Sequence, residues 1–107
     1  MEEKATSVPA SHNKRSRREQ RQLIIEFLYM WQVQREVELN TLLDTFFTEK
    51  NILQTESGFV YPYIQGITAR CEHLDEIIGS KAKNWTFDRI AKMDLAILRL
   101  AVYELIF

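Results

Sequence analysis

The chain has 107 residues, which is enough for one hydrophobic core and too few for two. Its 14 basic residues nearly balance its 15 acidic ones, so net charge alone favours no class of partner. A single cysteine, Cys71, excludes an internal disulfide, and no run approaches the roughly 18 apolar residues of a membrane span. We therefore expect a soluble cytoplasmic protein.

The first residues combine a polar arm with a concentrated basic run. Residues 1–13 carry Ser, Thr, Pro and mixed charge without hydrophobic periodicity, so we expect a disordered arm. The basic run follows, with spacings of three and four residues that place four side chains on one helix face: Lys14, Arg17, Arg18 and Arg21. Like charges on one face repel each other, and cations oppose the dipole at a helix start. This arrangement favours a phosphate-binding surface over a merely solvated helix end.

Two amphipathic helices are predicted after the basic run. In both segments apolar residues recur three and four positions apart, which is the spacing of one helix face. In the first segment these residues are Leu23, Ile24, Phe27, Leu28 and Trp31. In the second segment they are Leu39, Leu42, Leu43, Phe46 and Phe47. Residues 51–58 then predict a loop.

A third helix is predicted to begin at Phe59 or Tyr61. Pro62 is compatible only with its first turn, and Gly79 is expected to be its C-cap. Gly66 costs about 1 kcal/mol relative to Ala inside a helix, so its presence predicts close approach of another helix. We expect the thiol of Cys71 to be an inert part of the packing face, which contains Ile64, Ile67, Cys71, Leu74 and Ile78.

The last stretch, residues 85–107, is the most strongly helical, with Asn84 or Thr86 as its expected N-cap. It is apolar nearly all round, as expected of a central helix. The face predicted to be turned toward the core contains Ile90, Met93, Ile97, Ala101 and Leu105. Asp94 and Glu104 flank this face, and each carboxylate requires a partner within the fold or on another protein.

These patterns together predict an all-α protein. Residues 14–107 are expected to form one compact helical bundle with about four main helices and no repeat. His12 and His73 lack cysteine or carboxylate clusters at metal-ligand spacing, so we expect no metal site. The sequence contains neither a glycine-rich phosphate loop nor a nucleophile motif, and we therefore expect no cofactor and no enzymatic activity.

Three segments, in this order, resemble the family of the transcription antitermination factor NusB. They are the basic run leading into FLYMWQ, the middle segment YIQGITARCEHLDEII and the closing segment RIAKMDLAILRLAVYELIF. The resemblance covers residues 17–107. It implies an RNA-binding helical protein that pairs with NusE, a ribosomal protein, on the boxA element of ribosomal RNA transcripts. In that family the pair acts in the antitermination complex of RNA polymerase.

The resemblance also implies roles for individual residues. It assigns RNA binding to Arg17, Arg18 and Arg21, with Arg99 on the outer side of the last helix as a further RNA contact. Lys14 is added to the predicted RNA-binding residues because it shares the basic helix face. It assigns NusE binding to Tyr29, Val33, Asp88 and Asp94. Asp94 thereby gains an external partner, whereas we expect Glu104 to be bonded within the fold.

Members of that family continue beyond the YEL sequence with about two further helices. The resemblance therefore predicts a C-terminally truncated member, less stable than a complete one and prone to self-associate through exposed apolar surface. Two other interpretations stay open at this point. One is a helical scaffold or non-functional fragment whose basic run is only solvated. The other is the N-terminal RNA-binding domain of a ribosomal RNA cytosine methyltransferase.

Overall fold

The computed structural model describes residues 15–81 and 91–107, and within them it contains five α-helices, one short 3-10 helix and no strand. The α-helices are α1 (Arg17–Val33), α2 (Leu39–Glu49), α3 (Val60–Ala69), α4 (Cys71–Lys81) and α5 (Lys92–Ile106). The 3-10 helix, Gln54–Glu56, lies in the predicted loop between α2 and α3. The all-α prediction is confirmed. No described helix is long and apolar enough to cross a membrane.

Helices α1 and α5 form the centre of the bundle, and α1 also packs extensively on α3. Ile24, Phe27 and Leu28 of α1 have no exposed surface, which confirms the predicted apolar face of the first helix. The face predicted for the second helix is also buried, since Phe46 of α2 meets Phe27 edge to face with ring centroids 5.4 Å apart. Burial of each such side chain contributes about 1.5–3 kcal/mol to folding.

The predicted third helix is in fact two helices. Between α3 and α4 the backbone of Arg70 leaves the helical conformation, with φ −110° and ψ 17°. Just before this break, the hydroxyl of Thr68 donates to the carbonyl of Ile64 at 2.8 Å, and such side-chain bonds bend helices. The break spans one residue, so all five predicted packing residues are still buried. Pro62 lies in the first turn of α3 as predicted, but α4 continues past Gly79, which is therefore not a C-cap.

The close approach predicted at Gly66 is confirmed. A Cβ atom at this position would lie 2.7 Å from Cζ of Tyr103 on α5 and would overlap its hydroxyl group. The ring of Tyr103 is in turn held between Tyr63 and Phe107, with centroids 5.2 and 5.4 Å away. Gly66 therefore allows α3 to lie directly against the C-terminal half of α5.

The prediction of which face of α5 is turned toward the core is wrong. The buried residues of α5 are Leu95, Ala96, Arg99 and Leu100. Met93, Ile97 and Leu105 are exposed instead. The small side chain of Ala96 permits close packing on the core, and Arg99 is tolerated because a carboxylate neutralises it.

The start of α5 also differs from the prediction. Ala91 is extended, with φ −60° and ψ 145°, and α5 begins at Lys92. The predicted N-caps Asn84 and Thr86 lie outside the described residues, as does Ile90 of the predicted inward face.

Candidate nucleic-acid interface

The start of α1 is fixed by a capping box at Ser16. The Ser16 hydroxyl accepts a hydrogen bond from the Glu19 N–H at 3.0 Å, and the Glu19 carboxylate accepts one from the Ser16 N–H at 2.8 Å. Glu19 also places a negative charge in the first turn, where the helix dipole favours it. These contacts offset the electrostatic cost of the arginines at the helix start.

Gln20 docks the same turn onto α3. It is buried, donates from Nε2 to the carbonyl of Arg15 at 3.0 Å, and accepts at Oε1 from the N–H of Phe59 at 2.9 Å. Phe59 is the N-cap residue of α3, so Gln20 pairs one of the free N–H groups at the start of that helix, while the Ser57 hydroxyl accepts from the Tyr61 N–H at 3.1 Å. The head of α1 is thus attached to a second helix.

The basic residues at this end differ in how they are held. The Arg17 guanidinium lies over the ring of Phe59, 5.0 Å from its centroid. Arg21 forms a two-point pair with Glu104 of α5, with distances of 2.9 Å and 3.0 Å. Arg18 is exposed and bonds to no residue in the described ranges. The structure therefore brings Arg17, Arg18 and Arg21 together, while Lys14 lies outside the described residues.

Arg99 does not lie on the outer side of the last helix, so that prediction is wrong. Its side chain is 4 % exposed and occupies the interface between α5, α4 and α1. Nε and Nη2 donate to the two carboxylate oxygens of Asp75 at 2.9 and 2.8 Å, and Nη1 donates to Oε1 of Gln32 at 3.2 Å. With all three nitrogens bonded inside the fold, this guanidinium is not presented to an RNA phosphate.

Glu104 is bonded within the fold, as predicted, and its partner is Arg21. Asp94 behaves differently, because it is exposed in the first turn of α5, where the helix dipole favours a carboxylate. It forms no ion pair with any residue the structure describes. The need for an external partner at Asp94 stays a prediction.

Tyr29, Val33 and Asp94, the described residues predicted to bind NusE, lie at the other end of the α1–α5 pair. The contacts Arg21–Glu104 and Gln32–Arg99 show that α1 and α5 run antiparallel, so the end of α1 lies beside the start of α5. Tyr29 and Val33 are exposed on one face of α1 in that half. Met93 and Ile97 of α5, which the sequence predicted to be inside, add exposed apolar surface to the same end. Asp88 lies outside the described residues.

A groove of about 620 Å³ separates the end of α1 from the junction of α3 and α4, lined by Trp31, Arg35, Arg70, Cys71, Glu72, His73 and Asp75 among others. The guanidinium of Arg35 covers Trp31, 3.9 Å from the ring centroid, and approaches Sγ of Cys71 at 3.5 Å. Burial raises the pKa of the Cys71 thiol, the guanidinium of Arg99 opposes part of this rise, and the carboxylate of Asp75 adds to it. The described part of the chain contains no group of His, Cys, Asp and Glu suited to a metal ion.

Comparison with known proteins assigns the family. The sequence model of the NusB family matches residues 18–107, which is most of the chain. The chain belongs to the NusB family. The matched residues include the whole of α5 and all of α1 except Arg17.

Individual relatives agree with the family assignment. The transcription antitermination protein NusB of Methylacidiphilum infernorum is 36 % identical over 92 residues, covering 86 % of this chain and 64 % of the relative. The protein of the same name from Acetivibrio thermocellus is 32 % identical, covering 83 % and 61 %. That of Oleidesulfovibrio alaskensis is 34 % identical, covering 92 % and 67 %. The chain thus spans about two thirds of the length of these NusB relatives. No solved structure matches it significantly.

Sequence reasoning missed the residues that hold this end together. Ser16 and Glu19 form the S-x-x-E signature of a capping box, which can be seen in the sequence. Gln20 and Phe59 gave no such signal, because their contact joins residues far apart in the chain.

Proposed function

We propose that this chain is a transcription antitermination factor that binds boxA-type RNA of ribosomal transcripts together with NusE. The observation that carries the proposal is the capped start of α1, where Arg17 and Arg21 are held by Phe59 and Glu104 and Arg18 is exposed. Since the whole chain has a formal net charge of −1, attraction of RNA depends on this local concentration of cations. The antitermination names of the relatives support the same conclusion.

The RNA contact residues in this proposal are Lys14, Arg17, Arg18 and Arg21. Arg99 is left out because its guanidinium is buried against Asp75. Arginines at the start of a helix bind phosphates through charge and counterion release, which gives affinity but little sequence preference. Preference for boxA-type RNA therefore requires additional contacts to bases, including those that NusE supplies in the pair.

NusE is proposed to bind at the other end of the α1–α5 pair, through Tyr29, Val33 and Asp94, and the proposal also includes Asp88, which lies outside the described residues. Exposed apolar side chains beside a carboxylate that no described residue neutralises suit a protein partner with matching apolar and basic groups. The antitermination complex of RNA polymerase would receive the chain as part of this pair, in the cytoplasm. In this proposal the chain binds and does not catalyse.

The RNA part of the proposal is tested by titrating boxA-type and scrambled RNA against the chain with NusE at two salt concentrations. The wild type should bind boxA-type RNA more tightly. Arg18→Ala should make the dependence of log K on log salt shallower by about 0.7, the value for one phosphate contact on a single strand. The matched control is Lys50→Ala, which removes one positive charge at the end of α2 and should leave the slope unchanged. Equal effects of the two variants would contradict a localised RNA site.

The partner site is tested separately by measuring NusE affinity without RNA. Tyr29→Ala combined with Val33→Ala should weaken NusE binding about tenfold, as expected for central interface side chains. The control is Leu53→Ala, because Leu53 is an exposed apolar residue between α2 and α3. Unchanged affinity in the double variant would remove this surface from the proposal and leave the RNA site standing.

A further inference from the structure

The pair Arg21–Glu104 connects the basic head of α1 with the last helix of the described chain. Nε of Arg21 lies 2.9 Å from Oε2 of Glu104, and Nη2 lies 3.0 Å from Oε1. The two side chains are 41 % and 23 % exposed. The contact is therefore partly open to solvent, and its guanidinium can be reached by a ligand.

Glu104 is poorly placed for the stability of its own helix. It lies in the last turns of α5, where the dipole favours cations over carboxylates. A partly exposed pair contributes only modestly to folding unless its geometry is good, and the unfavourable dipole offsets part of what this two-point pair contributes. Stability alone therefore gives an incomplete account of a carboxylate at this position.

The geometry of the guanidinium gives a stronger account. A guanidinium is planar and carries five N–H donors, arranged so that two of its edges can each bind an anion at two points. Glu104 occupies the edge formed by Nε and Nη2 of Arg21. Nη1 has no partner in the described ranges, so the edge formed by Nη1 and Nη2 is left for a second anion. Because the group is planar, fixing one edge fixes the direction of the other.

We propose that Glu104 is a positioning residue that orients Arg21 so that its second edge meets one RNA phosphate beside Arg18. The inference rests on the proposed RNA-binding function. The carboxylate also repels the RNA backbone, so it weakens attraction at random positions while favouring the one position where the oriented edge is filled. Glu104 thereby contributes to discrimination between RNAs more than to overall affinity.

The test compares Glu104→Gln with Glu26→Gln. Both variants remove one negative charge, and Glu26 lies on α1 in an ion pair with Lys50 at 2.8 Å, away from Arg21. For each variant the affinity for boxA-type and scrambled RNA is measured with NusE at two salt concentrations. Each variant is also made on an Arg21→Ala background, and circular dichroism confirms that the helices remain formed.

Glu104→Gln should tighten binding to scrambled RNA without tightening binding to boxA-type RNA, so that the ratio of affinities falls about fivefold, a size in keeping with an exposed pair. Glu26→Gln should leave the ratio unchanged, and Arg21→Ala should abolish the effect of Glu104→Gln. If the two glutamine variants change the ratio equally, or if the effect persists without Arg21, the positioning role is overturned while RNA binding stands. If the wild type binds boxA-type and scrambled RNA with equal affinity, the proposed function itself fails.

Discussion

Two arginine–carboxylate pairs of nearly identical geometry lie in different surroundings. Arg99–Asp75 and Arg21–Glu104 both use Nε and Nη2 at 2.8–3.0 Å. The Arg99 side chain is 4 % exposed, and its Nη1 donates a hydrogen bond to Gln32. The Arg21 side chain is 41 % exposed, and its Nη1 has no partner in the described ranges. Burial therefore distinguishes the two arginines, whereas their pairing geometry does not. Arg99 joins helices inside the fold, and Arg21 keeps part of its guanidinium open to solvent.

We call Arg99–Asp75 the inner pair and Arg21–Glu104 the outer pair. The largest expected effect comes from breaking the inner pair. Arg99→Ala should lower the free energy of unfolding by about 3 kcal/mol, because it leaves the carboxylate of Asp75 and the amide of Gln32 without their partner inside the bundle. Urea unfolding followed by circular dichroism measures this change. The matched control is Glu104→Gln at the outer pair, which should cost less than about 1 kcal/mol. Similar losses in the two variants would show that burial does not separate the pairs.

A second variant keeps the first prediction testable if Arg99→Ala fails to fold. Replacing Arg99 by Met and Asp75 by Leu together removes both charges and fills the space with apolar atoms. Such replacements of buried pairs are often neutral or stabilising. The double variant should therefore fold and unfold at a urea concentration close to that of the wild type.

A smaller effect is expected at Gly66 of α3, which packs against Tyr103 beside the outer pair. Gly66→Ala adds a Cβ that overlaps the ring of Tyr103, and Tyr103 immediately precedes Glu104. The displaced ring should cost about 1–3 kcal/mol, more than the helix propensity gained. Gly79→Ala is the control, since Gly79 is exposed within α4. This substitution should raise the free energy of unfolding by up to about 1 kcal/mol. A stabilising Gly66→Ala would mean that α3 and α5 can separate at no cost.

The smallest effect concerns Cys71, whose Sγ lies 3.7 Å from Oδ2 of Asp75 in the inner pair. Burial raises the pKa of this thiol in the folded state. Above the ordinary cysteine pKa of about 8.5 the unfolded chain ionises first, so stability should fall as pH rises through that value. Labelling at pH 8.5 should also be slower in the native chain than in urea. Equal labelling rates would place the thiol in open solvent.

The inner and outer pairs also show what the sequence can predict. A carboxylate beside an apolar face requires a partner, so a bonded Glu104 followed from the sequence, although Arg21 as its partner did not. In α5 the apolar residues surround the helix, and periodicity therefore could not select the buried face. Arg99 was placed outside because it lies opposite the face predicted to be buried, and its burial depends on Asp75 from another helix.

Other parts of the fold also divide into features that the sequence predicts and features that it does not. The buried faces of α1 and α2 were predictable because apolar residues recur three and four positions apart along each of them. The break at Arg70 was not, since buried positions keep helical spacing on both sides of a one-residue interruption. The docking of Gln20 on Phe59 depends on a contact across 39 positions, which local patterns do not encode.

The unbroken course of α1 between its two candidate sites has a geometric consequence. Arg18 and Tyr29 are eleven positions apart on this helix, close to three full turns, so their side chains leave the axis in nearly the same direction about 17 Å from each other. An RNA held at Arg18 and a protein held at Tyr29 would share one side of the helix, which fixes the distance between them. A single residue inserted in the middle turns would turn Arg18 and Tyr29 about 100° apart, and it would also take part of the buried face of α1 out of register with the core, so the alignment of the two sites is fixed together with the packing of the bundle.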